Sequence, residues 1–492
     1  MIGIYELCRV SENILSPAIE KRLFVVDLID KKGVMKSKIA TALTISRQSI
    51  DNWLIINKKY GSEGLVNNTK NSWKKNPKRF RGNKARQLEE KHTSDAKFLY
   101  NEEYDYQPNR YAGNLLYLSE LTNSYDYLKQ LSVKINKHVW IPLLFVMMHV
   151  NKISSIEQLK TIFKGEFGKI LGIKRLTNLS NVREEIHELV QKKSSLNVAK
   201  QFFKLQVIKA GVSIWRIFLD GHFVPYSGKE KVHKAHSTQR DLMMPGQTEF
   251  FGHDSTGKIV YFDIEEGQGD MVKNLKKYSK IFAKYNDNTS PLFVCDRELW
   301  GVDNFLFMSD CRFVTWEKNC DKKETTETIA ESMLKRWGCS ENGFKHLGTR
   351  TNMHYNPAWN ISEESQKQQV INPEYIDLKQ TNSETFKVID KEGKTWWNIA
   401  EMIFCNSRKN LSDALYTYLP DKRDLLPVLD SITSSKGWIK STKDTLIVRI
   451  EPLEQFLYKV AQIQLCRYLN NKKICLPNGK LLQYDVADDP YK

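Results

Sequence analysis

Apolar residues recur at helical spacing near the start of the chain. Within SPAIEKRLFVVDLIDKKG and MKSKIATALTISRQSIDNWLIIN they fall three and four positions apart, so Ile39, Ala40 and Leu43 line one short helix and Ile50, Trp53 and Leu54 the next. TIS makes a tight turn between them, and Ser46, Arg47, Gln48 and Ser49 open the second helix facing outward. This layout fits a helix-turn-helix, which sets the N-terminal polar side chains of its second helix against base edges in the major groove. A packed helical hairpin has the same pattern. Helical spacing continues through residues 96–208, in YAGNLLYLSELTNSYDYLKQL, SIEQLKTIFKGEFGKIL and SNVREEIHELVQ. There the 11-residue run WIPLLFVMMHV at 140–150 reads as a buried helix, short of the ~20 residues that cross a bilayer.

From 209 to 351 the period changes. IWRIFLDGHF alternates and is rich in β-branched and aromatic residues, which predicts a strand, and TEFFGHDSTGKIVYFDIEEG predicts a hairpin turning at Ser255, Thr256 and Gly257. GDMVKNLKKYSKIFAKYN then reads as an amphipathic helix, SPLFVCDREL as a buried strand, VDNFLFMS as a helix, CRFVTWEKN as a strand and ESMLKRWGCSENGFKHL as a helix. Three antiparallel strands followed by alternating elements is the order of an RNase H-like α/β domain, a mixed sheet with helices on both faces. Beyond it, residues 352–492 read as mostly helical: VIDKEGKTWWNIAEMIFCNSRKNLSDALYTYL and LEQFLYKVAQIQLCRYLN predict helices, and DTLIVRIE a strand. The expected divisions are therefore 1–95, 96–208, 209–351 and 352–492, with 96–208 serving as spacer or DNA-end recognition region.

Charge narrows the partner. Lys and Arg number 75 against 58 Asp and Glu, a net charge of +17, which calls for a polyanion. More than half of that surplus lies in the first 95 residues, where 19 basic residues face 10 acidic ones. The segment TKNSWKKNPKRFRGNKARQLEEK, with Lys74, Lys75, Lys78, Arg79 and Arg81, reads as an extended arm tracking phosphates, or as a solvated linker. Lys229, Lys231 and Arg240 in KEKVHKAHSTQRD form a second basic stretch, read as a phosphate-contacting loop or an exposed turn. The eight cysteines include no C-x-x-C pair, which argues against a zinc ribbon or a disulfide framework. No basic segment followed by a long apolar stretch opens the chain, so the expected compartment is the cytoplasm, in association with the nucleoid. Glycine-rich phosphate loops are missing, which removes support for an NTP-driven reaction.

Two aspartates carry the candidate chemistry. Asp220 directly follows IWRIFL and Asp296 directly follows SPLFVC. A carboxylate among bulky apolar neighbours costs stability unless it is paired, solvated or bound to a cation. Either one alone also reads as a simple turn cap. Glu341, in RWGCSENGFK, is the third member, on a helix that can pack back across the sheet. Three converging carboxylates suit Mg²⁺ or Mn²⁺, hard cations that take oxygen ligands.

FLDGHFVPYSGKE, HSTQRDLMMPGQTEF, FVCDRELWG and RWGCSENGFK resemble, in that order, the catalytic core of bacterial insertion-sequence DDE transposases. SRQSIDNWLIINKKYGSEGLVN is similar to their N-terminal DNA-binding module. The resemblance implies Asp220, Asp296 and Glu341 as the catalytic and metal-ligating triad, holding two Mg²⁺ (or Mn²⁺) ions. It implies double-stranded DNA partners, both element ends and target, and a homodimer in the synaptic complex. Water would cleave the phosphodiester at the element's end, and the freed 3′-hydroxyl would attack target DNA. His222, Arg297, Glu298 and Lys345 are placed to touch substrate, although a satisfied histidine and a solvated lysine are the plainer readings of His222 and Lys345. One departure stands out: the Y-x2-R-x3-E-x6-K signature of some relatives is absent, with Leu334 and Trp337 where its Tyr and Arg would be. Arg336, Trp337, Asn342 and Lys345 form a different version around Glu341, which leaves Glu331 and Glu317 as fallback glutamates. Two rivals remain, a DNA-binding regulator that has lost the chemistry and a nuclease of the same fold without strand transfer.

Overall fold

A computed structural model describes residues 17–43, 45–66, 99–135, 138–237, 240–286, 288–316, 327–336, 345, 347–371, 379–419 and 421–487. The chain divides into two compact units, residues 1–90 and 91–492. The first contains α1 (Pro17–Asp30), α2 (Lys36–Ala42) and α3 (Arg47–Val66). Val25, Ile39 and Ile50, one from each helix, form its buried centre, with Leu43, Trp53 and Leu54 packed around them. The Ser46 hydroxyl accepts a hydrogen bond from the Ser49 amide at 3.1 Å, capping the start of α3, and Lys36 pairs with Asp51 at 2.6 Å. The backbone of α3 kinks at Gly61, where φ is +65°.

The second unit is a mixed α/β body. After β1 (Tyr104–Asn109) come α4 (Leu115–Tyr125), α5 (Tyr127–Ile135), α6 (Trp140–Val150), α7 (Lys164–Ile170), α8 (Leu179–Gln191) and α9 (Ser195–Ile208). The single helix expected over YAGNLLYLSELTNSYDYLKQL is two, because Asp126 adopts a left-handed φ of +48° that ends α4. SIEQLKTIFKGEFGKIL is likewise split, a turn of 3₁₀ helix at Ile156–Lys160 preceding α7.

The main sheet contains β2 (Arg216–Pro225), β3 (Lys234–Ser237), β4 (Leu242–His253), β5 (Ile259–Glu266), β6 (Leu292–Val294) and β7 (Arg312–Val314), interleaved with α10 (Met271–Ala283) between β5 and β6 and α11 (Val302–Phe307) between β6 and β7. β4 lies antiparallel to both β2 and β5, whereas β2, β6 and β7 run parallel in that order. α10 buries Leu275 and Phe282 against Ile217, Leu219, Tyr261 and Phe293 on one face. α12 (Glu327–Arg336) lays Met333 on Phe218 and Val294 on the other. β3 was not expected. It lies within the basic stretch read as a loop, where only Val232 and Ala235 signal burial, and its register is imposed by β4.

The C-terminal span is less helical than its sequence pattern predicts. It adds α13 (Glu392–Leu415), α14 (Leu425–Thr433) and α15 (Phe456–Asn471), but also the short strands β8 (Ile361–Glu363), β9 (Gln368–Ile371), β10 (Thr381–Glu384) and β11 (Lys387–Ile389). β12 (Gly437–Ser441), β13 (Thr445–Ile450) and β14 (Leu481–Val486) join β1 in a second sheet ordered β1-β12-β13-β14. β1 and β12 are far apart in sequence, so their pairing is invisible to any local pattern.

α13 is buried nearly all round, in contact with α4, α6, α9, α14, α15 and β5. Trp396, Trp397, Ile399 and Ile403 belong to the largest apolar core. Its polar side chains are matched individually: Asn406 bridges the N–H and C=O of Ile259 at 2.8 Å each, completing the start of β5. Lys394 pairs with the fully buried Glu249 of β4 at 3.2 Å, and Asn398 donates to the same carboxylate at 3.1 Å. Burial raises the Glu401 carboxyl to about 7 against the opposing pull of Lys394 and the Thr351 hydroxyl, with Glu249 adding to the rise. One lysine thus balances two buried acids. Lys394→Met should destabilise the chain by about 3–5 kcal/mol, because an uncompensated carboxylate is left inside. Urea denaturation checks this, and adding Glu401→Gln should recover part of the loss.

Candidate active site

Parallel pairing brings the two aspartates together. Phe218 of β2 stands opposite Val294 of β6, and Asp220 and Asp296 each lie two residues further on. Strand side chains alternate between faces, so Phe218 and Asp220 share a face, as Val294 and Asp296 do. Phe218 and Val294 receive Met333 of α12, and three residues later on the same side of that helix Arg336 reaches the carboxylates. One guanidinium nitrogen of Arg336 lies 3.2 Å from Oδ2 of Asp220 and 3.7 Å from Oδ2 of Asp296. The shared nitrogen means that the two aspartates occupy one site.

The two carboxylates differ in setting. Asp220 accepts a hydrogen bond from the Gly221 amide at 2.9 Å and is the more enclosed, its side chain 19% exposed against 42% for Asp296. Asp296 accepts from the Arg297 amide at 2.7 Å, capping the 3₁₀ turn Arg297–Leu299, and its carbonyl accepts from the Thr315 hydroxyl at 2.6 Å. Burial lifts the Asp220 carboxyl to about 6; Arg336 and the Gly221 amide oppose the rise, and Asp296 and Glu298 add to it. Glu298 is therefore electrostatically part of the site.

Along the same face of β2, His222 follows Asp220. Its ring lies 5.0 Å from that of His354, and burial, then His354 and Lys394, hold it down at about 4, so it is neutral at physiological pH. Opposite His222 on β4 is Glu249, the partner of Lys394, which connects the site to the buried centre of α13.

The other expected site residues are scattered. Glu341 and Glu317 lie outside the described residues, as do Lys74, Lys75, Lys78, Arg79 and Arg81. Glu331 is engaged with Lys335 on the outer side of α12. Ser46, Arg47 and Gln48 are exposed at the start of α3, with the Ser46 hydroxyl occupied by the cap. Lys229 and Arg240 are exposed, Lys231 pairs with Glu384 and lies over the Phe386 ring, and Lys345 is exposed. Among the described residues no group of three His, Cys, Asp or Glu side chains is arranged to hold a metal ion. The two aspartates nonetheless fit a divalent cation: their side-chain ligand atoms are all oxygens, and a cationic group is already drawn between them. Sequence reasoning missed the role of Arg336. Its position three residues after Met333 was the available signal, but it becomes meaningful only when α12 is laid across β2 and β6.

No protein-family model matches the chain, and no curated protein does. Among solved structures, the piggyBac transposase synaptic complex with hairpin DNA, determined by cryo-EM, superposes with a TM-score of 0.30 at 9% identity, covering 68% of this chain and 83% of that one. A superposition this loose carries no argument about activity. Among the described residues no helix is long and apolar enough to cross a membrane.

Two outcomes follow for the site. The raised Asp220 carboxyl holds its proton more tightly folded than unfolded, so its contribution to stability falls as pH rises from its ordinary 3.8 through about 6 and is level above that. Asp220→Asn should therefore have a higher thermal midpoint than wild type above about 6, with the margin closing towards 3.8, as a series of melts across pH will show. Met333→Ala, which empties the contact anchoring α12, should cost about 2 kcal/mol or more in urea denaturation.

Proposed function

We propose that the chain is a DNA transposase of the DDE type, binding the ends of its own mobile element and catalysing metal-dependent phosphodiester cleavage and strand transfer. The observation that carries this reading is the convergence of Asp220, within β2, and Asp296, just past the end of the adjacent parallel strand β6, on one guanidinium nitrogen. Support comes also from the strand order β5-β4-β2-β6-β7, with the first three antiparallel and the last three parallel, which is the order expected of an RNase H-like core. The three helices among the described residues of the first unit, with Arg47 and Gln48 exposed at the start of α3, support a helix-turn-helix role in DNA binding.

In this reading Asp220 and Asp296, with Glu341, hold two Mg²⁺ or Mn²⁺ ions. When bound, such ions lower the pKa of an attacking water or hydroxyl and stabilise the leaving oxygen of an in-line displacement. The chain's own part is to fix the oxygen ligands. Asp220 is held by its strand and the Gly221 amide, and Asp296 by the Arg297 amide and the Thr315 bond to its carbonyl. His222, neutral at physiological pH, would meet substrate as a neutral imidazole rather than as a fixed charge. Exposed Lys229, Arg240 and Lys345 supply positive charge for the DNA backbone.

The test is incubation of the full chain with Mg²⁺ and DNA carrying the sequences that flank its gene. Wild type should cleave at the element ends, whereas Asp220→Ala and Asp296→Ala should bind the same DNA with at least a 10³-fold lower cleavage rate, on the order of the loss seen when an essential catalytic group is removed. Equal binding with no cleavage by any of the three proteins would favour the silent regulator and contradict this proposal.

A further inference from the structure

The guanidinium between the two aspartates stands where a divalent cation would stand. Arg336 is the last described residue of α12, its side chain is 9% exposed, and it is anchored from within the helix by Met333 against Phe218 and Val294. The opposite side of the helix faces solvent, with Leu334 76% exposed and Lys335 paired to Glu331. The inward placement of Arg336 is therefore set by packing. A guanidinium has donors and no acceptor, so it cannot join a metal's ligand shell, and it cannot share carboxylate oxygens with a doubly charged ion without strong repulsion.

We propose that Arg336 is a resident counter-ion, occupying the paired carboxylates until a divalent cation displaces it, so that metal loading is coupled to movement of the Arg336 end of α12. This rests on the reading of Asp220 and Asp296 as metal ligands. In the unloaded chain the arginine is a positioning residue: it holds two like charges side by side that would otherwise repel, and keeps the oxygens aimed at a common point. Metal binding then costs the energy of breaking both ion contacts, which sets the apparent affinity below that of the bare carboxylate pair. Once displaced, the guanidinium remains beside the site with its planar donor fork exposed, a group suited to a phosphate oxygen. The relation is inverse: a charge that stabilises the empty chain weakens its hold on metal.

The experiment is titration of Mn²⁺ alone into the full chain by calorimetry at neutral pH, with thermal melts in the presence and absence of Mn²⁺. Arg336→Gln and Arg336→Met are read in parallel, so that a folding failure in one leaves the other, and Arg336→Lys tests rescue by a conserved charge. Removing the charge should tighten Mn²⁺ binding roughly tenfold, an ordinary size for a coupling between two binding events, and enlarge the Mn²⁺-induced rise in melting temperature. Arg336→Lys should stay near wild type, and Asp220→Asn should abolish binding in every background. If the charge-removing variants bind Mn²⁺ no better than wild type while Asp220→Asn still abolishes binding, the counter-ion role is overturned and the metal site survives. If neither wild type nor those variants bind Mn²⁺, the reading of the aspartates as metal ligands falls, and the inference with it.

Discussion

Two negative charges set side by side, one within β2 and one just past the end of β6, must be neutralised, and much of the candidate site follows from how this chain does so. Register fixes the pair: once Phe218 stands opposite Val294, Asp220 and Asp296 emerge together on one face. Two unit charges roughly 6 Å apart repel by about 3 kcal/mol at an effective dielectric of 20, a large fraction of the margin by which a domain is folded. Arg336 answers that repulsion, and Met333 fixes where Arg336 can be. Asp220 nevertheless keeps a carboxyl raised to about 6, because enclosure costs its charge more than the arginine returns. An arrangement that is only partly neutralised has room for a stronger cation.

Behind the site, the surrounding body restrains the strand that carries Asp220. β4 pairs with β2 across the site and delivers Glu249 opposite His222, and Glu249 is tied to α13 through Lys394 and Asn398. α13 in turn is packed among helices from residues 96–208 and bonded to β5 through Asn406. The helical segments before and after the sheet thus make one support. In the proposed phosphoryl transfer such positioning would matter, because alignment and electrostatics supply most of the rate of such reactions.

The sequence made some of this legible and hid the rest for identifiable reasons. β2, β4, β5 and β6 were readable because bulky apolar residues alternate or run together, although β2 continues past Asp220 to Pro225; α10 was readable from Met271, Leu275, Tyr278 and Phe282 at helical spacing. β3 was missed because its Lys, His and Ser residues carry little apolar pattern and its pairing depends on β4. The break at Asp126 depends on a left-handed backbone conformation within an otherwise continuous helical pattern. The second sheet escaped notice because β1 and β12 pair over more than 300 residues of intervening chain, Tyr104 against Ser441. At the site, the aspartates announced themselves as charges after apolar strands. Arg336 did not, since its meaning arises from a helix crossing two strands, and a basic residue on an amphipathic helix otherwise reads as surface.

If Asp220 and Asp296 are two halves of one cation site, crystals of the full chain grown with Mn²⁺ should show, by anomalous diffraction, a manganese peak within coordination distance of oxygens from both side chains, with the Arg336 guanidinium withdrawn from between them. A peak bound elsewhere, or none at saturating Mn²⁺ with Arg336 still joining the two carboxylates, would contradict a shared site.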